Sequence, residues 1–289
     1  MPRHDAAITR ERGGGVIRPA AAESYLRPYL AHAPVALAME RALECELYRG
    51  RAFRRPILDL GCGDGLFAQM LFGATRSICV GLDPSLSELE EARRRGAYRT
   101  VLCARGDGAI PLRDGSCRTV FSNSVVEHIP ELDAVLREVH RVLTDDGELM
   151  LTVPTDRFDR YTVGHQALRW LGLGGVADVF SRAFNAFWRH YHYDTPAGWR
   201  ARLERAGFDV VETIEYSPRA ACVWRDAAVP LAFPSFVVKK LLKRWTLAPA
   251  FRALWVRWVF RRLERPADIG CADGGLVFLR ALKRSAAAR

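Results

Sequence analysis

Ile57-Leu58-Asp59-Leu60-Gly61-Cys62-Gly63-Asp64-Gly65 is an apolar run that passes into three alternating glycines, with an amphipathic stretch, Leu66–Phe72, directly behind them. The apolar run suits a buried strand. Glycine lets the chain turn sharply and lets a ligand lie against bare main chain, because no Cβ intervenes. A strand, a tight turn and a helix are therefore read here. The same turn also occurs without any ligand, so the triplet decides the local fold and leaves function to its surroundings.

Working outward, short apolar runs alternate with amphipathic segments, the sequence form of a mostly parallel sheet covered by helices. Strands are expected at Ile57–Leu60, Ile78–Leu82, Thr100–Cys103, Thr119–Asn123 and Glu148–Val153, and helices at Leu66–Phe72, Leu86–Arg95 and Leu132–Leu143. The second strand ends at Asp83, about twenty residues beyond the glycines, where a carboxylate accepts hydrogen bonds from both hydroxyls of a ribose. The third leads to Gly106-Asp107-Gly108, another acid among small residues. Open α/β sheets bind ligands at the carboxyl ends of their strands, and three such features fall there in succession. A dinucleotide fingerprint fits poorly, since Leu66 stands where its third glycine belongs, and no Gly-Lys-Ser/Thr follows the turn to make a phosphate loop. A ligand with adenosine and no phosphate fits better.

These residues, together with Leu112, Ser122-Asn123-Ser124-Val125-Val126-Glu127-His128-Ile129 and Arg141-Val142-Leu143 before Gly147-Glu148-Leu149, resemble the successive motifs of the class I S-adenosylmethionine-dependent methyltransferases, in the type 11 branch. The resemblance covers about residues 56–154, with weaker support from Thr195 to Tyr216. It implies a doubly wound, mostly parallel seven-stranded α/β sheet, a Rossmann-like methyltransferase fold with helical insertions, and S-adenosylmethionine as cofactor. It implies that Gly61, Gly63 and Gly65 approach the methionine part, that Asp59 braces their turn, that Asp83 holds the ribose and Asp107 the adenine amino group, and that Asn123 lines the methyl-transfer site. Cys62, Pro84 and Gly108 join the expected cofactor-binding positions. The family usually has Phe-Asp where this chain has Cys117-Arg118.

The expected organisation has a disordered tail over 1–20, a helical extension over 21–55 with a helix at Pro34–Tyr48, and a cofactor-binding core over 56–154. An aromatic helical insertion follows over 155–194, helical across Gln166–Trp188 and able to act as a lid over an apolar acceptor. The core continues over 195–216, with Thr195 capping a helix that starts at Pro196 and ends at Gly207, then a strand at Asp209–Tyr216. A basic amphipathic insertion fills 217–274, and a last strand, Gly275–Leu282, begins the final segment, 275–289. The two late strands should pair antiparallel despite the roughly sixty residues between them, a separation long enough to carry structure of its own.

Composition is that of a globular chain, with 49% hydrophobic and 26% charged residues. Net charge is +10 and uneven, for Phe236–Arg265 holds nine basic residues against one acid, Glu264. Phe236–Trp245 projects as an amphipathic helix with Lys239, Lys240, Lys243 and Arg244 opposite its apolar side, and Phe251–Arg265 does so less cleanly. Basic residues and tryptophan beside an apolar face suit an interfacial helix, so residues 231–265 are expected to meet an anionic membrane surface. A packed helical pair or a twin subunit would use the same pattern, and nucleic acid is the less favoured partner. The seven cysteines include no C-x-x-C pair, which argues against a zinc site and a disulfide framework. Met1–Gly15 has no apolar stretch of a secretory signal, and Ala227–Val238 is short of the roughly 20 residues a bilayer needs. A cytoplasmic chain, peripheral on the inner face of the plasma membrane, is the expectation.

Methyl transfer from a sulfonium asks the protein mainly for alignment, with a base for a hydroxyl acceptor. His128 and Glu127, just past the fourth strand, are the catalytic candidates, with His190, His192 and Asp194 behind them. No metal site is expected from the alternating histidines. The favoured activity is methylation of a small-molecule or lipid-linked acceptor, at oxygen before carbon. An RNA methyltransferase and a nonenzymatic cofactor-binding or assembly protein are the rivals.

Overall fold

Two cores, one on each face of a single sheet, organise the computed structural model, which describes residues 15–19, 25–106, 108–230 and 268–285. Val16–Ile17 (β1) pairs antiparallel with Phe53–Arg54 (β2), so these two residues of the expected disordered tail are instead structured. Burial of Ile17 in the core is the reason. Between them come α1 (Leu26–His32) and α2 (Val35–Tyr48). The main sheet then alternates with helices: β3 (Ile57–Leu60), α3 (Leu66–Phe72), β4 (Ile78–Asp83), α4 (Leu86–Arg95), β5 (Tyr98–Cys103), β6 (Cys117–Asn123), α5 (Leu132–Val142) and β7 (Leu143–Pro154). Next are α6 (Val163–Trp170), α7 (Gly174–Trp188), α8 (Pro196–Arg205), β8 (Phe208–Tyr216), α9 (Arg219–Ala227) and β9 (Leu276–Lys283).

The seven strands lie in the order β5-β4-β3-β6-β7-β9-β8, all parallel except β9, which runs antiparallel to β7 and to β8. Expectation and structure agree on this sheet and on the late antiparallel pair. Successive side chains of a strand point to opposite faces. Ile57, Phe121, Met150 and Phe278 accordingly meet α1, α2 and α3, while Leu58, Val120, Leu149 and Leu279 meet α5 and α8. Cys117 is buried at the head of β6 beside a register shift, and Leu143 pairs with it, which starts β7 earlier than Glu148.

The aromatic insertion is two helices, α6 and α7, broken at Leu171-Gly172-Leu173, where Gly172 adopts a φ of +75°. Gly164 lets α6 approach the Phe180 ring, a contact that a Cβ would close to 2.4 Å. Thr195 caps α8 by accepting from the Gly198 N–H at 3.0 Å, and Trp199 anchors that helix by donating to the Pro154 carbonyl at 2.8 Å. The start of the second insertion is α9, whose Cys222 is buried and whose Arg225 pairs with Glu40 of α2. Residues 219–227 therefore pack on the domain. The basic amphipathic segment at 231–265 lies outside the described residues, as does Asp107.

Candidate active site

Gly61 and Cys62 leave β3 by donating both N–H groups to the Leu82 carbonyl, at 2.7 and 3.0 Å. The three glycines then divide the work. At Gly61 a Cβ would sit 2.3 Å from Val125 Cγ1, so this position fits the turn under the loop after β6. At Gly63, φ is +50° and a Cβ would meet no protein atom within 4 Å, leaving bare main chain open to a ligand. Gly65, with φ +75°, lies 2.9 Å by its would-be Cβ from Ala92 Cα, so the absence of a side chain there serves the packing of α3 on α4. Asp83 Oδ2 accepts from the Gly63 N–H at 3.0 Å and Oδ1 from the Ser85 N–H at 2.9 Å, which fixes the carboxylate and leaves each oxygen a further lone pair.

A cleft of about 460 Å³ opens over this turn, bounded by Gly61, Asp83, Pro84, Gly106, Val125 and Ile129, with His128 and Arg189 at its rim. The residues fit a nucleoside carrying a sulfonium: a main-chain floor, an oriented carboxylate for the ribose, and apolar Leu60, Leu82 and Ile129 for a base. Asp59 does not face this cleft. It is buried, accepts from the Tyr98 hydroxyl at 2.6 Å, and burial pushes its carboxyl up to about 7. Tyr98 in turn lies under Gly65 and Gly81, so Asp59 supports the turn at one remove. Cys62 is buried beneath the turn, and Gly108 has open space at its Cα.

Asn123 does not line either cavity, in contrast to the role its position implies. Its Nδ2 donates to Glu44 at 2.6 Å and its Oδ1 accepts from Thr152 at 2.9 Å. Glu44, fully buried on α2, also accepts from Ser124 at 2.8 Å, Tyr216 at 3.1 Å and Arg41 at 2.5 Å. Ser124 is held at a φ of +50° between Glu44 and the Thr152 main chain and side chain. This network was not legible in the sequence, because the apolar stripe of α2 drew attention to its opposite side. The signal available was Glu40-Arg41 and Glu44 at helical spacing.

The fixed loop delivers Glu127 and His128 on one 3-10 turn, Val126–His128. Beside it is a larger cavity of about 540 Å³, walled by Leu37, Phe158, Phe184, Phe187 and Trp188, with Glu40, Arg41, Glu127, His190, Arg225 and Asp226 among its polar groups. His128 borders both cavities. Its Nδ1 lies 3.3 Å from the Arg189 carbonyl, which selects the tautomer that leaves Nε2 as an acceptor, and Nε2 is 3.7 Å from Glu127 Oε1. Burial pushes the His128 imidazolium below its ordinary value and that of His190 down to about 4, so both rings are neutral at pH 7. Burial pushes Glu127 up to about 8, and its Oε2 has no hydrogen-bond partner among the described residues.

His190 is oriented by Asn185, which donates to Asp159, so one of the second-rank candidates joins the cavity. His192 contacts the Ile129 and Pro130 carbonyls and Asp194 accepts from the Thr195 N–H, both structural roles away from the cavities. Among the described residues no group of three metal-ligating side chains converges.

The family described as "Methyltransferase domain" matches residues 58–151. A malonyl-[acyl-carrier protein] O-methyltransferase of Legionella pneumophila is 37% identical over 101 residues, 34% of this chain and 36% of that protein. A tRNA U34 carboxymethyltransferase of Aeromonas salmonicida is 33% identical over 149 residues, 43% of this chain and 45% of that protein. The chain thus spans less than half the length of these relatives. Among solved structures, phosphoethanolamine N-methyltransferase 2 of Haemonchus contortus, in complex with S-adenosyl-L-methionine, superposes with a TM-score of 0.51 at 15% identity, over 88% of this chain and 54% of that one. That likeness is one of fold. Residues 58–151 thus match a methyltransferase domain, set in a sheet whose strand order and late antiparallel pair agree with the class I S-adenosylmethionine-dependent methyltransferase fold.

Proposed function

We propose that this protein transfers the methyl group of S-adenosylmethionine to an oxygen of an apolar acceptor, small or lipid-linked, at the cytoplasmic face of a membrane. The observation that carries the reading is the position of His128, the side chain common to the cofactor cleft and the aromatic cavity. The cofactor, when bound, supplies a carbon already activated for in-line displacement. Gly61–Gly63 and Asp83 hold it, and the aromatic wall of the second cavity excludes water from the acceptor. His128, neutral and with Nε2 unprotonated, takes the proton of an acceptor hydroxyl, and the Glu127 carboxyl lies 3.7 Å from that nitrogen. A carboxylate or enolate acceptor needs no base, and the acyl substrate named in the Legionella relative supports oxygen over carbon.

The test is incubation of the protein and methyl-labelled cofactor with fractionated lipid and metabolite extracts. Label should pass to an apolar fraction, and His128→Gln should slow transfer to a hydroxyl acceptor by about 10²-fold while calorimetry still shows cofactor binding. Cofactor binding without transfer to any fraction would instead favour the nonenzymatic reading, and transfer to RNA the other rival.

A further inference from the structure

Helix α7 turns small and polar side chains inward beside Phe180 and Phe184, and an apolar row outward. Its buried positions are Ala177, Ser181 and Asn185, with Ser181 Oγ 2.8 Å from His165 Nδ1 and Asn185 donating to Asp159 at 3.1 Å. Its outward side carries Val176, Val179, Ala183 and Phe187 at helical spacing, all exposed. Directly before it, the turn between α6 and α7 presents Trp170, Leu171 and Leu173, with Trp170 at 86% exposure and Phe187 at 76%. Apart from Leu86, Val211 and Trp224, every exposed large apolar side chain among the described residues lies between Val163 and Tyr193. A helix that turns its hydroxyl and amide inward and its valines outward gains nothing in water.

We propose that the α6–α7 hairpin is a docking surface for a bilayer carrying anionic headgroups, and that the acceptor enters the aromatic cavity from that bilayer. Three observations select a membrane over a protein groove. The apolar tip, Trp170-Leu171-Gly172-Leu173, projects at the end of a helical hairpin, where it enters an acyl layer without burying any other element. Over residues 160–189 the exposed charged side chains are Arg160, Arg169, Arg182 and Arg189 against Asp178 alone, a balance along the hairpin that complements anionic lipid. Trp188, Tyr191 and Tyr193 stand at the base of the hairpin, the amphipathic aromatics suited to headgroup depth. Phe187 and Trp188 are both exposed and part of the cavity wall, so the apolar outer face runs into the cavity without a polar break. An apolar molecule leaving the bilayer along α7 therefore reaches His128 without crossing water. The entry route rests on the acceptor reading given above; the docking surface does not.

The experiment is sedimentation of the full chain with vesicles of two parts phosphatidylcholine to one part phosphatidylglycerol, and with phosphatidylcholine alone. The wild type should partition onto the anionic vesicles more strongly than onto the neutral ones. Substitution of Trp170, Leu171, Leu173, Val176 and Val179 by serine, none of which lines either cavity, should weaken that binding on the order of tenfold or more. The variant should keep its affinity for S-adenosylmethionine by calorimetry, which shows that it folds and separates this test from that of methyl transfer. Unchanged vesicle binding in the variant would assign attachment to residues 231–265 and overturn the proposal. So would absence of binding by the wild type, or a wild-type oligomer that the serine variant converts to monomer, which would make the face a protein interface.

Discussion

Gly63 and Gly65 sit two residues apart with the same left-handed backbone, yet one faces empty space and the other the backbone of α4. Alanine at either must adopt a strained φ, at about 1 kcal/mol. Gly63→Ala should lose little more than that in thermal stability and, with its methyl on the open side of the turn, should cut affinity for S-adenosylmethionine on the order of tenfold or more. Gly65→Ala must also displace Ala92 and Tyr98, so denaturant titration should show a loss of about 2–4 kcal/mol. Equal stability of the two variants would contradict the division of labour between the glycines. Their alternation was plain in the sequence, and Asp83 was legible too, because strand ends at that spacing converge on the turn. Which glycine packs against a neighbouring helix was not, since that depends on what α4 brings beneath Gly65.

Helix α2 shows the same limit on the scale of an element. Val35, Met39, Leu43 and Leu47 fall at helical spacing, enough to mark a helix within the N-terminal extension. In the structure α2 crosses the carboxyl ends of β6 and β7, and its polar side is buried as well, through Glu44. A buried carboxylate with four partners is a staple whose removal leaves Arg41 and Asn123 without their acceptor. Glu44→Ala should therefore cost about 3–5 kcal/mol in chemical denaturation and free the loop that carries Glu127 and His128. Glu44→Gln, which keeps the shape, should recover part of the stability. The hairpin α6–α7 was foreseen as one helical stretch over Gln166–Trp188. Gly172 breaks it, and the break creates the exposed apolar tip.

Stability of the whole molecule carries a pH signature set by two buried acids. Asp59 is pushed up to about 7 and Glu127 to about 8, each above the value near 4 that an unfolded chain gives it. Between those limits the folded state keeps protons that the unfolded state has released, so stability is greatest below pH 4 to 5 in this contribution and falls as pH rises to about 8. Glu127→Gln removes its share. The unfolding free energy of the variant, from denaturant titration, should decline less between pH 5 and 8 than that of the wild type, by a difference on the order of a few kcal/mol. Parallel curves would mean that Glu127 is ionised in the folded protein near neutrality. The sheet sets the frame for both acids: β3 buries Asp59 between strands, and the turn after β6 buries Glu127 against α7 and the following segment, whose Tyr191 N–H bonds the Glu127 carbonyl at 2.9 Å.

Local chemistry was enough to determine the strands, the glycine turn, the carboxylate at the end of β4 and the methyltransferase-like domain, because those features depend on residues within one strand-turn-helix unit or on a fixed spacing along the chain. The placement of α2 and α9 against the sheet, the joining of two cavities at His128, and the outward-facing apolar side of α7 were decided only by tertiary structure. Each arises where segments far apart in sequence close on one another, and no periodicity within either segment encodes which of its faces the other will cover.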